Sequence, residues 1–269
     1  MAMAQSSKYS PSSDSARLAL QSSMTLKDDM RVLHDVMGRV GKEGRVLRVL
    51  DAGCGTGAAT VDRFGGTTGV EVLGVDRSPE AIAEARERAA RFPYIKFEIS
   101  ELEDLGGVFD IVFCALVLHL AVDQEVFLAH LWDRVAPGGC LVVRGIDDGL
   151  LLCWPSSEAY EEILRLTPLA FPEVDRFHGR KMPVQMGKLP GVACLEVSYP
   201  SVSTLQGRAD FFELTQGWKS STVMSGGDHG YEDVINVLAQ AIDTERERFN
   251  SDSDLFASAA MVMACAYRR

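Results

Sequence analysis

The stretch Val49-Leu50-Asp51-Ala52-Gly53-Cys54-Gly55-Thr56-Gly57 constrains this chain more than any other. An apolar run from Val46 to Leu50, broken only by Arg48, reads as a short buried strand. It ends on an acid and three glycines at alternate positions, after which Ala58 to Phe64 opens a helix. Glycine admits dihedrals closed to other residues and lets a ligand approach the main chain with no side chain between. Strand, glycine turn and helix in that order make a cradle at the carboxyl end of a first parallel strand, where open α/β sheets bind ligands. Two ligand classes compete for it. Gly53-x-Gly55-x-x-Ala58 satisfies the relaxed dinucleotide fingerprint, and Asp76 follows at about the distance of a ribose-binding acid. Asp51, however, places a carboxylate beside the loop, which repels a pyrophosphate and suits a ligand bearing positive charge.

The 269 residues suffice for one large domain, or a domain with a substantial insertion, around a sizeable core. The formal net charge of -11 argues against a nucleic-acid partner, because phosphate binding needs basic patches. Arginines do cluster within Arg86 to Arg91 and in Glu245-Arg246-Glu247-Arg248, but interleaved acids make these solvated helix faces. No uncharged run approaches the ~18 residues of a membrane span, and no signal peptide is visible, so a cytoplasmic protein without a membrane partner is expected. The six cysteines, Cys54, Cys114, Cys140, Cys153, Cys194 and Cys265, are scattered with no C-x-x-C pair, which disfavours a disulfide framework or a zinc site.

Along the chain, Ser12-Ser13-Asp14-Ser15 offers caps for a helix over Ala16 to Gln21, and helical periodicity predicts a second from Met24 to Val40. Val70 to Asp76 is the second strand, followed by a capped helix from Glu80 to Arg91. Ile95 to Ile99 alternates as a third strand, and Phe109 to Ala115 is the fourth. Gln124 to Val135 forms a helix ended by Ala136-Pro137-Gly138-Gly139, and Leu141-Val142-Val143 is the fifth strand. Asp147 to His178 reads as an insert with a helix over Ser157 to Leu166. Ala193 to Tyr199 then gives a sixth strand and Ala257 to Tyr267 the last, with a helix from Tyr231 to about Phe249 and a flexible loop candidate, Ser225 to Gly230, in the gap between them.

Asp51-x-Gly53-x-Gly55-x-Gly57, the acid Asp76, Phe109-Asp110-x-Val112, and Leu131-x-x-x-Val135-x-Pro137-Gly138-Gly139-x-Leu141 stand in one order and spacing over residues 46 to 145. Together they resemble the class I S-adenosylmethionine-dependent methyltransferases of the small-molecule type. The resemblance implies an α/β fold: a Rossmann-like, doubly wound, mostly parallel seven-stranded sheet with an N-terminal helical lid and helical inserts. It divides the chain into a tail and lid (1–44), a cofactor-binding half of the sheet (45–147), a helical cap insert (148–178) and a C-terminal part (179–269) with a second insert at about 205–250.

It also implies a cofactor, S-adenosyl-L-methionine, leaving S-adenosyl-L-homocysteine as product, and a set of contacts. Asp51, Gly53, Cys54, Gly55 and Gly57 would meet the amino-acid half, and Asp76 the ribose, a carboxylate having two acceptor oxygens for two hydroxyls, with Arg77 a further cofactor contact. Glu101 and Leu102 would meet the adenine, with Glu103 or Asp104 as alternatives for the acid and an exposed acidic turn as the other reading, and Cys114 lies where cofactor sulfur and substrate come together. His119, just past the fourth strand, is the candidate general base or direct substrate contact, since imidazole titrates near neutrality, with capping or packing as its alternative role. Tyr9, Met24, Trp154, Phe171 and Trp218 are candidate pocket residues, with packing of lid and inserts as their alternative role. Arg144 and Arg180 are candidate anchors for an acidic substrate or, alternatively, salt-bridge partners. Asp147-Asp148 has no matched ligand nearby, so no metal is expected.

The expected activity is methyl transfer to a small hydrophobic or aromatic metabolite at oxygen, nitrogen or sulfur, by a monomer or homodimer. Two rivals use the same scaffold. One is a non-methylating enzyme performing cyclisation or aminopropyl transfer, the other an inactive S-adenosylmethionine-binding regulator.

Overall fold

The computed structural model of the chain describes residues 15–41, 44–217, 219 and 232–269. Tyr9, Trp218 and the Ser225–Gly230 loop lie outside the described residues. Among the described residues, eight strands form one sheet: β1 (Leu47–Ala52), β2 (Val70–Asp76), β3 (Ile95–Ile99), β4 (Phe109–Ala115), β5 (Val135–Trp154), β6 (Val192–Ser198), β7 (Ser201–Ser203) and β8 (Phe256–Arg268). Their order is β3-β2-β1-β4-β5-β8-β6, and the short β7 pairs with β8 outside that path. The first five strands run parallel, with Val49 opposite both Val72 and Ile111, while β8 is antiparallel to β5 and β6. The seven expected strands are all present; β7 is an addition.

Successive residues of a strand face opposite sides, so β1 and β4 supply two cores at once. Val49, Ile111 and Phe113 pack with α1 (Ser15–Val40), α2 (Ala58–Phe64) and α3 (Pro79–Arg88) through Leu33, Val36, Phe64 and Ile82. Leu50, Val112 and Cys114 face the other way, against Leu128, Leu131 and Trp132 of α4 (Gln124–Asp133) and Met182 and Met186 of α6 (His178–Gly187). A third cluster caps the far end of β5 and β8. Tyr160, Ile163 and Leu166 of α5 (Glu158–Ala170), Phe211 and Phe212 of α7 (Arg208–Phe212), and Leu238, Ile242 and Phe249 of α8 (Glu232–Ser251) meet there. The two inserts are therefore one packed unit.

Two expectations are corrected. The N-terminal helices are one continuous α1, because the polar residues at the expected break are satisfied without leaving the helix. Thr25 Oγ1 donates to the Gln21 carbonyl at 2.9 Å, and Ser22 Oγ to Asp62 of α2 at 2.7 Å. The segment 148–154 is strand and not helical cap: β5 bulges between Ile146 and Leu151 and then pairs on, Leu151 with Ala259 and Trp154 with Phe256. The thirteen-residue β8 offers a ladder longer than the core sheet needs, and β5 fills it.

Candidate functional site

The glycine turn is held by its neighbours' main chain. Gly53 N and Cys54 N donate to the Val75 carbonyl at 2.8 and 3.0 Å, and Gly53, Gly55 and Gly57 have φ of 74°, 54° and 71°. That left-handed region is open to glycine at little cost. At Gly57 a Cβ would sit 2.7 Å from the Ala85 Cβ and 2.8 Å from Phe97 Cζ, so β1, α3 and β3 close around the loop only because that atom is missing. At Gly53 it would sit 2.5 Å from Val117 Cγ2, which sets the segment after β4 against the loop. Inside the turn, the Thr56 hydroxyl is buried without a partner.

Asp76 ends β2 half-buried and faces the same turn. Its Oδ2 accepts from Gly55 N at 2.9 Å and its Oδ1 from Ser78 N at 3.0 Å. A carboxylate has about four acceptor positions, so each oxygen keeps one for a ligand hydroxyl. Ser78 Oγ accepts from Ala81 N and caps α3 itself, so Asp76 is not needed as the cap. Arg77 and Glu101 are exposed, Leu102 is buried beneath Glu101's turn, and Cys54 is partly buried. Burial raises the Cys54 thiol well above its ordinary range, with Asp51 and Asp76 adding to the rise. Cys114 is wholly buried among the strand residues.

Asp51 occupies a different setting from the one its sequence position implies. Its Oδ2 accepts from Thr60 Oγ1 at 2.6 Å and from Arg63 Nη1 at 3.5 Å. Arg63 Nε donates on to Asp29 Oδ2 at 2.8 Å, and Arg144 Nη1 to Asp29 Oδ1 at 2.6 Å. Asp29, Asp51, Arg63 and Arg144 are all at most 3% exposed, and they bind α1, β1, α2 and β5 together behind the loop. Burial raises the Asp51 carboxyl and lowers the Arg144 guanidinium, each opposed by its ion-pair partners. Arg144 is thus a salt-bridge partner and not a substrate anchor. Arg180 is likewise paired, its Nε 2.7 Å from Asp147 Oδ2.

His119 lies in a 3-10 turn (Leu118–Leu120) after β4. It is buried, its Nδ1 has no hydrogen-bond partner, and its carbonyl accepts from Asp175 N at 3.1 Å. Burial first, then the nearby Arg176, holds its pKa down at about 3, so the ring is neutral at physiological pH and a weak base. The candidate pocket aromatics fare differently. Trp154 is 72% exposed at the end of β5 and faces solvent, because the strand outruns the cap. Phe171 is buried in the cap cluster, Met24 is partly buried against it, and Phe211 and Phe212 pack on Phe249. Tyr160, Phe171, Phe211, Phe212 and Phe249 fill the cap's own interior.

Arg176, which the sequence reading passed over, lies within electrostatic reach of His119. Arg176 Nε and Nη2 donate to Asp148 Oδ2 and Oδ1 at 2.9 and 2.6 Å, both residues buried. Lys219 Nζ donates to Gln216 Oε1 at 2.6 Å, both wholly buried. Asp29 had a legible signal: it shares the helical stripe of Thr25, Leu33 and Val36, all buried. Arg176 and Lys219 had none, since only the tertiary fold brings them to Asp148. Among the described residues, no group of three His, Cys, Asp or Glu could hold a metal ion, and no helix is long and apolar enough to cross a membrane.

Residues 44–168 match a family model described as a methyltransferase domain. The trans-aconitate 2-methyltransferase of Deinococcus radiodurans is 35% identical over 97 residues, 36% of this chain and 37% of that protein. The mitochondrial ubiquinone biosynthesis O-methyltransferase of Saccharomyces cerevisiae is 30% identical over 141 residues, 50% of this chain and 45% of its own. The match therefore spans less than half the length of either relative. Among solved structures, the N-methyltransferase NodS of Bradyrhizobium japonicum WM9 shares the fold with a TM-score of 0.51 at 14% identity, over 91% of this chain and 96% of its own. The glycine turn, the acid that closes β2 and the sheet order, together with these matches, mark residues 44–168 as a methyltransferase domain similar to class I S-adenosylmethionine-dependent enzymes.

Proposed function

We propose that the protein transfers a methyl group from S-adenosylmethionine to a small-molecule acceptor. The observation that carries this reading is the left-handed glycine turn with Asp76 hydrogen-bonded to its middle glycine. Gly53, Gly55 and Gly57 present main chain to the amino-acid half of the cofactor, and Asp51, its Oδ2 held by Thr60 and Arg63, supports the turn from behind. Asp76 holds the ribose hydroxyls, and Leu102 with the exposed Glu101 flanks the adenine. The buried Thr56 hydroxyl fits the same cradle, since a bound ligand supplies the partner it otherwise lacks.

Bound there, S-adenosylmethionine supplies an electrophilic methyl group. The protein's task is then alignment and exclusion of water. The segment from Leu116 to His119 walls the reacting end, α1 lies across it, and the cap closes it from above. His119, neutral at about pH 7 by its burial, orients the acceptor or hydrogen-bonds it and does not remove a proton.

Calorimetry with S-adenosylhomocysteine tests the reading. The protein should bind one equivalent, and Asp76→Ala should lose roughly 1.5–3 kcal/mol for each charged hydrogen bond removed. Unchanged affinity in the variant removes the ribose assignment, and an absence of binding by the unaltered protein removes the proposal. Labelled methyl recovered in a product separates transfer from a non-methylating reaction on the same scaffold.

A further inference from the structure

Among the described residues, Leu116 is the one non-glycine residue whose backbone is left-handed, with φ at 58°. It stands one residue beyond β4, between the strand and the segment Val117 to His119. Left-handed geometry presses the Cβ toward the following carbonyl oxygen, and asparagine, aspartate and histidine occupy that region several-fold more often than other side chains. For leucine the penalty is about 5–30-fold in population. Packing of its side chain in the cores does not account for it. Leu116 is half-buried, and among the described residues it joins none of the three apolar clusters.

The backbone on either side fixes the turn. Ahead of it, Leu116 N donates to the Arg144 carbonyl at 2.9 Å, one step past the pairing of Ala115 with Arg144 that ends the β4–β5 ladder. After it, Val117 is already in the right-handed region, with φ of -116° and ψ of -42°. Leu118 is 1% exposed in the second core cluster, and Leu120 N closes the 3-10 turn on the Val117 carbonyl at 2.9 Å. The chain therefore has a single residue in which to change direction, and that residue carries the positive φ. Strain of this kind persists only where the surroundings over-determine it, and it collects at functional sites.

The effect of the turn is felt at Val117. A Cβ built on Gly53 would lie 2.5, 3.1 and 3.3 Å from Cγ2, Cγ1 and Cβ of Val117. The valine side chain therefore rests against the main chain of the first cradle glycine, whose N–H donates to the Val75 carbonyl at 2.8 Å. Arg144 fastens the arrangement twice: its carbonyl holds Leu116, and its guanidinium holds Asp29 behind the cradle. We propose that Leu116 is a positioning residue for the cofactor. Its left-handed turn seats Val117 on Gly53, and the cradle accepts S-adenosylmethionine only while residue 116 keeps that conformation. Cofactor affinity then follows the population of the left-handed form, because a competent state that is only fractionally populated weakens apparent binding in proportion.

The inference rests on the S-adenosylmethionine reading of the cradle, and the experiment separates the two. S-adenosylhomocysteine is titrated calorimetrically into the unaltered protein and into Leu116→Gly, Leu116→Asn, Leu116→Ile and Val117→Ala, with a urea midpoint measured for each. Glycine and asparagine enter the left-handed region readily. Those two variants should bind within about threefold of the unaltered protein, or more tightly, although both lack the leucine side chain. Isoleucine is β-branched and should weaken binding about threefold or more, as should Val117→Ala, which removes the contact with Gly53. A merely structural turn would lower the urea midpoint of Leu116→Ile and leave the affinity of its folded form alone. The proposal is overturned if Leu116→Ile or Val117→Ala loses less than about threefold, or if Leu116→Gly or Leu116→Asn loses more than that. Val117→Ala and the glycine and asparagine variants decide the matter if Leu116→Ile does not fold. Binding retained by the unaltered protein alongside any of these results leaves the cofactor reading standing, and its absence there brings down both.

Discussion

Asp29→Asn is the perturbation that bears most directly on how the cradle is supported. Asp29 is 1% exposed and is the α1 residue on which two guanidiniums converge, Arg63 through Nε at 2.8 Å and Arg144 through Nη1 at 2.6 Å. With Asp51 the four groups carry two negative and two positive charges, and they sum to zero. Asparagine keeps the volume, so no cavity forms, but the quartet is left with one uncompensated buried positive charge. Arg63 retains Asp51 at 3.5 Å, so the loss falls on Arg144, whose Nε already has no partner. Breaking a buried ion pair from one side costs about 3–5 kcal/mol, and that is the expected destabilisation. Removing both charges with Asp29→Leu and Arg144→Met should recover most of it, because well-packed apolar replacements of buried pairs are often neutral or stabilising. Urea unfolding followed by tryptophan fluorescence and circular dichroism measures the effect as a shift in midpoint at constant slope. Asp35→Asn, on the solvent side of the same helix, is the control and should stay within about 0.5 kcal/mol. A loss below about 1 kcal/mol for Asp29→Asn would mean that water reaches the quartet and that it does not pin α1 to the cradle.

Further outcomes are expected. Gly57→Ala meets both a left-handed φ of 71° and a 2.7 Å contact with the Ala85 Cβ, so strain and overpacking together should cost roughly 2–5 kcal/mol in thermal or urea unfolding. Gly66→Ala, with open space around it, should be neutral or slightly stabilising in the same assay. Burial pushes Lys219 down to about 7 from an ordinary 10.5, so between those values the unfolded chain holds a proton that the native one lacks. Stability should therefore climb with pH through that window, the burial penalty being fully present below 7, and urea midpoints of Lys219→Met should climb less steeply. His119 is held at about 3 against 6.5, so it withholds a proton from the native state throughout that interval, and its contribution to stability falls as pH drops below 6.5. Kinetically, the acid limb of kcat/KM should be the same in His119→Gln as in the unaltered protein; loss of an inflection between pH 6 and 7 on that substitution would restore His119 as a general base.

The sequence by itself determined the cofactor half of the molecule. Three glycines at alternate positions after an apolar run permit few backbone paths, and the acids closing β1 and β2 follow within one βαβ unit. Local periodicity and turn chemistry therefore specify strand, loop and helix without reference to distant residues. The order of the remaining strands followed from the same local signals. What only the tertiary structure decided were the roles of side chains whose partners are remote in the chain. Asp51 reads as a ligand contact until Asp29, Arg63 and Arg144 are brought to it from three other elements. His119 reads as a base until burial and Arg176 strip it of its proton. Trp154 and Phe171 read alike as pocket aromatics, yet one ends on the surface and the other inside the cap. The reason is physical: backbone conformation is governed by neighbours a few residues away, whereas charge state and burial depend on every group within a few ångströms, and those groups are chosen by the fold.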